Sequence, residues 1–230
     1  MNKFPRSAYV HIPFCHRRCF YCDFAVIPLG NKVETLQGYG SKTVKEYLHF
    51  LYIEILSIKH KSPLSTIYIG GGTPSILDPI QIKGLIDLFK ENYGIDYGAE
   101  ITMEVDPASF TQEDLFGFIN AGINRFSLGV QSFNNLILQK SGRRHLKEDA
   151  EKSCLWLKRE YDSGLIKSWS LDLIQNLPLS GFKEWQDDLK KAITFSPPHL
   201  SIYDLNIENG TVFKKLNSYK VALHSWAFNK

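Results

Sequence analysis

Short apolar segments alternate with longer amphipathic segments along most of the chain, and this alternation predicts secondary structure. Segments rich in β-branched and aromatic residues predict strands at residues 8–12, 66–70, 100–105, 125–130, 169–174 and 199–205. Between them, apolar residues at three- and four-residue spacing predict helices at residues 43–59, 79–92, 112–121, 147–161 and 183–194. Asp78 before Pro79, and Thr111, are suitable N-cap residues for two of these helices.

Strand and helix in regular succession indicate right-handed βαβ units and a parallel sheet. Six such units fit a partly closed barrel better than a complete eightfold one. We therefore expect an α/β fold, a partial (β/α)6 TIM-like barrel, formed by one core domain over residues 1–206. Residues 207–230 carry no clear pattern and are predicted to be an irregular tail, in which His224 is interpreted as a surface residue.

Composition and charge limit the classes of protein to which this chain can belong. The chain has 230 residues, of which 43% are hydrophobic, so it can bury a large single core. Its 27 basic and 24 acidic residues are interleaved, and this gives no support for nucleic-acid binding. No apolar run is long enough for a transmembrane segment, and the first predicted strand begins too early for a targeting peptide. We expect a chain of the cytoplasm or of an organelle matrix or stroma.

Three of the four cysteines lie close together in the segment HIPFCHRRCFYCDF. Cys15, Cys19 and Cys22 have the spacing Cys-x3-Cys-x2-Cys and follow the first predicted strand, where a barrel strand delivers its loop to the active face. The fourth, Cys154, stands alone in an apolar helical stretch and is interpreted as a core residue. The size of the chain and this distribution favour metal binding in a reducing compartment over a disulfide framework.

Two metal centres are compatible with these cysteines. A structural zinc ion usually takes four protein ligands, and only His11 or His16 stands near enough to be a fourth. A [4Fe-4S] cluster held by three thiolates keeps one iron free to bind a substrate or cofactor. The spacing itself, with the aromatic Tyr21 before the third cysteine, resembles the radical S-adenosylmethionine (SAM) superfamily. That resemblance implies a cluster whose open iron chelates SAM and whose electron splits the sulfonium.

Glycine and polar residues stand at the predicted C-terminal ends of the next four strands. Glycines let a backbone approach a ligand closely, and a carboxylate in a barrel strand needs a partner. The alternative interpretations are a simple tight turn for the glycine segment, an exposed carboxylate for Glu104 and a purely structural hydrogen bond for Asp172. The residues concerned are Gly71, Gly72 and Thr73 after strand two, Glu104 in strand three, Gln131 at the end of strand four and Asp172 in strand five.

Five segments in order, YVHIPFC, GGGTPS, EVDP, GVQSF and DLIxxLP, resemble the oxygen-independent coproporphyrinogen III oxidase family and its relatives, the HemW-type haem chaperones. The resemblance covers roughly residues 8–214. It implies that Tyr9, Gly71 and Glu104 contact cluster-bound SAM. It further implies that the cofactor pocket, or a second site beside it, is lined by Tyr21, Gly72, Thr73, Gln131, Arg143, Asp172 and Asn206.

Departures from the oxidase pattern favour the haem-carrier branch. Oxidases of the family carry a fourth cysteine two places after the third, where this chain has Phe24, and a long segment before strand one. The resemblance therefore implies a protein that binds haem or porphyrin and delivers haem to an apo-haem protein, with an electron donor that the sequence does not identify. Coproporphyrinogen III oxidation is the first alternative. A truncated isoform without full activity is the second, because the family's C-terminal domain is absent from this sequence.

A further departure concerns the loop after the fifth strand. Gln175 and Asn176 stand where both branches usually have Tyr-Gly, which puts the shape of this loop in question.

Overall fold

The structure is a computed structural model that describes residues 4–30, 41–58 and 62–216. Its strands are β1 (Ser7–Ile12), β2 (Phe14–Cys15), β3 (Ile27–Pro28), β4 (Leu64–Gly71), β5 (Ile95–Val105), β6 (Arg125–Gln131), β7 (Ser168–Gln175) and β8 (His199–Asp204). Six of them form one parallel sheet in the order β1-β4-β5-β6-β7-β8, and β2 pairs with β3 in a separate parallel pair. The predicted α/β architecture is confirmed, because successive strands of this sheet are parallel neighbours and the connections between them contain helices.

The longer helices cover the outer side of the sheet, and the short helix Val212–Lys215 packs against the cysteine loop through Phe213. The helices are α1 (Lys42–Ser57), α2 (Pro79–Asn92), α3 (Gln112–Asn120), α4 (Asn135–Lys140), α5 (Lys147–Asp162), α6 (Phe182–Thr194) and α7 (Val212–Lys215), with a 3-10 turn at Pro74–Ile76. All five predicted helices are present, although residue 59 of the first lies outside the described residues. Within the described parts of the chain, no helix is both long and apolar enough to cross a membrane.

Side-chain caps begin α2 and α3 where the sequence predicts them. The Asp78 carboxylate accepts a hydrogen bond from the amide of Ile80, and the Gln81 side chain accepts one from the amide of Asp78. Thr111 and Asp114 form the equivalent reciprocal pair at the start of α3. Each cap satisfies amides that the first helical turn leaves without partners.

The short β2–β3 pair, the 3-10 turn and three further features of the structure were not predicted. Strand β5 begins at Ile95, five residues before the predicted start at residue 100, because Ile95 pairs with Leu64 of β4. The helix α4 is too short to show a helical period, and Asn134 caps it. The helix α7 lies in the segment predicted to be irregular, and it buries Phe213. Residues 217–230 of the predicted tail, with His224, lie outside the described residues.

Alternate residues of the strands face opposite sides of the sheet. One set is apolar and buried under the helices, as in Ile69 of β4, Met103 of β5 and Leu171 of β7. Cys154 of α5 is buried in the same core, as predicted. The other set faces the concave side and is largely polar, and it includes Glu104 and Asp172. The fold therefore places its polar strand residues in one shared interior space.

Candidate functional site

A cavity of about 510 Å³ opens at the C-terminal ends of the parallel strands. The cysteine loop forms one wall, and the segments that follow β4, β5, β6 and β8 form the others. All but one of the residues predicted for the site line this cavity, the exception being Tyr9. Those that line it are Cys15, Cys19, Tyr21, Cys22, Gly71, Gly72, Thr73, Glu104, Gln131, Arg143, Asp172 and Asn206.

Backbone hydrogen bonds fix the cysteine loop at both ends. The amide of Leu29 donates to the carbonyl of Cys15 at 2.8 Å, which closes the loop on itself. The amide of Cys22 donates to the carbonyl of Cys19 at 3.2 Å, so these two cysteines share a tight turn. Between them, Phe20 bonds to the carbonyl of Ser141 in the loop after α4. The loop is thus attached to the barrel, and all its cysteines are free thiols.

The thiols are partly buried and close to one another. Burial raises the pKa of Cys15 to about 11, the hydroxyl of Thr73 opposes this by donating to its Sγ at 3.5 Å, and the neighbouring Cys19 and Cys22 raise the pKa further. Burial also raises the pKa of Cys22. The apo loop therefore carries protonated Cys15 and Cys22 at neutral pH, and metal binding must release those protons.

The arrangement of these thiols bears on which metal centre they fit. Among the described residues, no three or more His, Cys, Asp or Glu side chains are placed to hold a single metal ion. A cubane cluster takes each thiolate on a different iron, so its ligands stand farther apart than those of one ion. Three free thiols around one side of an open cavity fit a cluster with an exposed iron.

Arg143 connects the cysteine loop to the barrel. Its Nη1 donates to Sγ of Cys19 at 3.7 Å, while Nη2 donates to the carbonyl of Gly129 at 2.7 Å and to the carboxylate of Asp106. Burial alone would raise the pKa of Asp106, but Arg143 and His145 outweigh it and the pKa is lowered. The pair is therefore charged, and it places a fixed cation beside the sulfur of Cys19. Sequence reasoning missed Asp106 as a site residue, because only the tertiary structure brings Arg143 to it.

His145 completes this group of polar side chains. It is buried, its Nε2 donates to the carbonyl of Val130 at 3.0 Å, and its Nδ1 lies 3.9 Å from Asp106. Burial lowers the pKa of His145 to about 4, and the nearby Arg143 acts in the same direction. The imidazole is consequently neutral at physiological pH, so Asp106 has Arg143 as its charged partner.

The glycine segment after β4 packs directly against the cysteine loop. A Cβ atom on Gly72 would lie 2.6 Å from the carbonyl oxygen of Phe14 and 2.9 Å from Sγ of Cys15. Gly71 has a φ of +120°, which side chains rarely adopt. The amide of Thr73 donates to the carbonyl of Phe14 at 2.7 Å. This segment is therefore more than a simple turn, because only glycine permits its approach to the loop.

Two carboxylates on the concave face are held by hydroxyl and amide donors. Glu104 accepts from the hydroxyl of Tyr68 at 2.8 Å and from the amide of Gly71 at 3.1 Å, and burial raises its pKa. Asp172 accepts from the hydroxyl of Ser127 at 2.7 Å. The interpretation of Glu104 as an exposed surface residue is thus wrong, and the predicted partner for Asp172 is confirmed.

Gln131 combines an uncommon backbone conformation with a buried side-chain oxygen that has no partner among the described residues. Its φ is +67°, which is uncommon for residues other than glycine. Its Oε1 is buried and has no hydrogen-bond partner among the described residues. A buried acceptor without a partner is costly, so a donor from a ligand fits this position.

Tyr9 is placed differently from the other predicted residues. Its side chain is 60% exposed, its ring stacks on Tyr68, and its hydroxyl lies 3.0 Å from Nδ1 of His11. The structure therefore puts Tyr9 on the concave face below the cavity and not in its lining.

The backbone conformation of the loop after β7 is compatible with Asn176. Asn176 has a φ of +63°, a conformation that asparagine adopts more readily than most residues, and its Nδ2 donates to Asp204 at 2.5 Å. Asn176 can therefore occupy a backbone position that suits the glycine usual in the resembled families.

Several known proteins are similar to this chain in sequence. The family model for the radical SAM superfamily matches residues 9–170. The chain is similar to a protein named heme chaperone HemW from Synechocystis, with 42% identity over 92% of this chain and 50% of that protein. It is also similar to heme chaperone HemW from Escherichia coli, with 36% identity over 91% of this chain and 53% of that protein. The chain spans about half the length of the curated relatives it matches.

A solved structure shows the same relationship. The structure of coproporphyrinogen III oxidase (HemN) from Escherichia coli, described as a radical SAM enzyme, superimposes with a TM-score of 0.74 at 30% sequence identity. The match covers 87% of this chain and 44% of that one. The likeness extends through the barrel that carries the cavity.

Proposed function

Because the chain belongs to the radical SAM superfamily, we propose that its three-cysteine loop holds a [4Fe-4S] cluster and that the adjoining cavity binds SAM. The convergence of three free thiols on one cavity of about 510 Å³ at the strand ends carries this proposal. When bound, the cluster supplies the electron for reductive cleavage of SAM. The protein's part is to hold, orient and shield these groups.

Each element of the cavity has a distinct role in this proposal. Cys15, Cys19 and Cys22 would hold the cluster as its three thiolate ligands. Hydroxyl and guanidinium donors from Thr73 and Arg143 stabilise the thiolates of Cys15 and Cys19. Gly71 and Gly72 let the backbone approach a ligand.

Polar side chains are assigned to the functional groups of SAM. Glu104 receives the amino group, because it is a half-buried carboxylate that no basic side chain neutralises by a direct ion pair among the described residues. Asp172 and Gln131 bind hydroxyl groups. Tyr21 and Asn206 complete the lining. Tyr9 acts from outside the lining, by supporting Tyr68, which in turn holds Glu104.

Haem delivery is the proposed activity of the protein as a whole. The relatives named heme chaperone are 35–42% identical to this chain, and we assign to it the binding of haem and its transfer to an apo-haem protein. An electron donor is required and is not identified. Because its thiols are free, we place the protein in a reducing compartment, the cytoplasm or an organelle matrix or stroma.

Oxidation of coproporphyrinogen III is a second candidate, favoured by the structural likeness to HemN. Phe24 argues against it. This residue occupies the place where the oxidases carry a fourth cysteine, and its side chain is 63% exposed at the rim of the cavity.

One anaerobic series tests both candidates. Reconstituted protein should contain about four iron and four acid-labile sulfide per chain, as the cluster stoichiometry requires, and should bind SAM. Titration with haem should then saturate, and the loaded protein should transfer haem to apomyoglobin. Conversion of coproporphyrinogen III without haem transfer would favour the oxidase. A protein with stoichiometric zinc and no sulfide would refute both.

A further inference from the structure

A buried carboxylate lies outside the cavity, on the helix α6. Asp188 is only 3% exposed. Its Oδ2 accepts a hydrogen bond from the hydroxyl of Ser132 at 2.7 Å, and its Oδ1 accepts one from the amide of Phe133 at 2.7 Å. Burial raises the pKa of Asp188, and these two hydrogen bonds oppose the rise. A carboxylate is costly to bury, so its two bonds to one loop call for an explanation beyond packing.

The loop that Asp188 holds follows directly on Gln131. At this point β6 ends, and its register with β7 shifts between Gly129 and Gln131. Gln131 has its φ of +67° immediately before the two residues bonded to Asp188. A left-handed conformation at such a residue persists only when its surroundings enforce it.

Other contacts hold the same loop but do not replace Asp188. The ring of Phe133 stacks on Phe195 at the end of α6, with centroids 5.9 Å apart. His145 bonds to the carbonyl of Val130, on the strand side of Gln131. The backbone is therefore fixed on both sides of Gln131, and on the far side the polar anchor is Asp188.

The side chain of Gln131 is placed accordingly. A Cβ built on Gly129 would lie 3.0 Å from Nε2 of Gln131 and 3.5 Å from Nη2 of Arg143. The side-chain amide of Gln131 thus lies over Gly129 and beside Arg143, and Gln131 lines the cavity.

We propose that Asp188 is a positioning residue for the cavity: by fixing Ser132 and Phe133, it holds Gln131 in the conformation that presents its amide to SAM. This inference rests on the proposed function, because SAM is the ligand assigned to the cavity. It adds a residue of the outer helix layer, remote from every cysteine motif, to the binding apparatus.

The test is anaerobic equilibrium dialysis of SAM with the reconstituted full chain. Asp188→Asn should weaken SAM binding by about fivefold to tenfold, the size of one neutral hydrogen bond, with iron and sulfide content unchanged. Asp187→Asn is the matched control, since it makes the same charge change at an exposed neighbour on the same helix, and its affinity should equal that of the wild type.

A double-mutant cycle separates positioning from general destabilisation. If Asp188 acts through Gln131, then Asp188→Asn should have no further effect on SAM affinity in a Gln131→Ala background. An equal effect in both backgrounds would overturn the inference, as would unchanged affinity in Asp188→Asn. Should Asp188→Asn fail to fold, Ser132→Ala takes its place in the cycle, because it removes one bond and keeps the other. If the wild-type protein with an intact cluster binds no SAM, the proposed function itself fails.

Discussion

The Nη1 atom of Arg143 lies 3.7 Å from the Sγ atom of Cys19, and the carboxylate of Asp106 holds the same guanidinium from its other side. A cation beside a cluster ligand stabilises the more negative, reduced state. The contact joins two loops that are more than a hundred residues apart in sequence, and it links the electrostatics of the barrel to the metal centre.

Replacing Arg143 by glutamine should lower the reduction potential of the cluster. The expected shift is on the order of 50 mV, which for one electron is about a tenfold change in the redox equilibrium. Anaerobic redox titration followed by electron paramagnetic resonance measures it. Lys140→Gln is the control, because it removes a positive charge at an exposed residue of α4 that does not line the cavity. Equal potentials in both variants would contradict an electrostatic role for Arg143.

Alanine at Cys15, Cys19 or Cys22 should each abolish a stable [4Fe-4S] cluster, because two thiolates cannot anchor it. The measurement is iron and acid-labile sulfide per chain after anaerobic reconstitution. Cys154→Ala should keep full iron and sulfide content, since this thiol is buried in the core, while losing about 1–2 kcal/mol of stability. Cluster loss in the Cys154 variant would show that the assignment of ligands is wrong.

Gly72→Ala should push the glycine segment away from the cysteine loop. The added Cβ would lie within 3 Å of Phe14 O and Cys15 Sγ, and overpacking of this kind costs about 1–3 kcal/mol. We expect lower thermal stability and faster loss of the cluster absorbance.

Gly98→Ala controls for backbone strain alone, because Gly98 has a φ of +83° but no atom within 4 Å of its would-be Cβ. This control should lose stability and retain the cluster as long as the wild type does. Equal rates of cluster loss in the two variants would argue against the steric explanation.

The free energy of unfolding of the apo chain should fall as the pH is lowered from 7 to 4. His145 has a folded pKa of about 4 against an ordinary value near 6.5. In this interval His145 binds a proton in the unfolded chain but not in the folded chain. Acid therefore lowers the free energy of unfolding, by up to about 3 kcal/mol.

Anaerobic urea unfolding at several pH values measures this dependence. His145→Gln can still donate to Val130 but does not titrate, so its stability should decline less over the same interval. Parallel pH profiles for the variant and the wild type would exclude His145 as the cause.

The sequence by itself determined the architecture and twelve of the residues that line the cavity. The alternation of strand and helix patterns and N-cap residues such as Asp78 are local properties, so they can be recognised in one sequence. The cysteine spacing and the residues at strand ends, such as Glu104 and Asp172, followed because parallel strands all deliver their C-terminal ends to one side of the sheet.

Only the tertiary structure decided which polar groups meet. Asp106 and Asp188 gave no local signal, since their partners Arg143 and Ser132 lie 37 and 56 residues away. Tyr9 lies on the expected strand but below the cavity. The depth of a residue along a barrel depends on strand register, and a pattern of alternation does not determine that register. Secondary structure arises from short-range periodicity, whereas contacts between loops depend on how the strands are aligned.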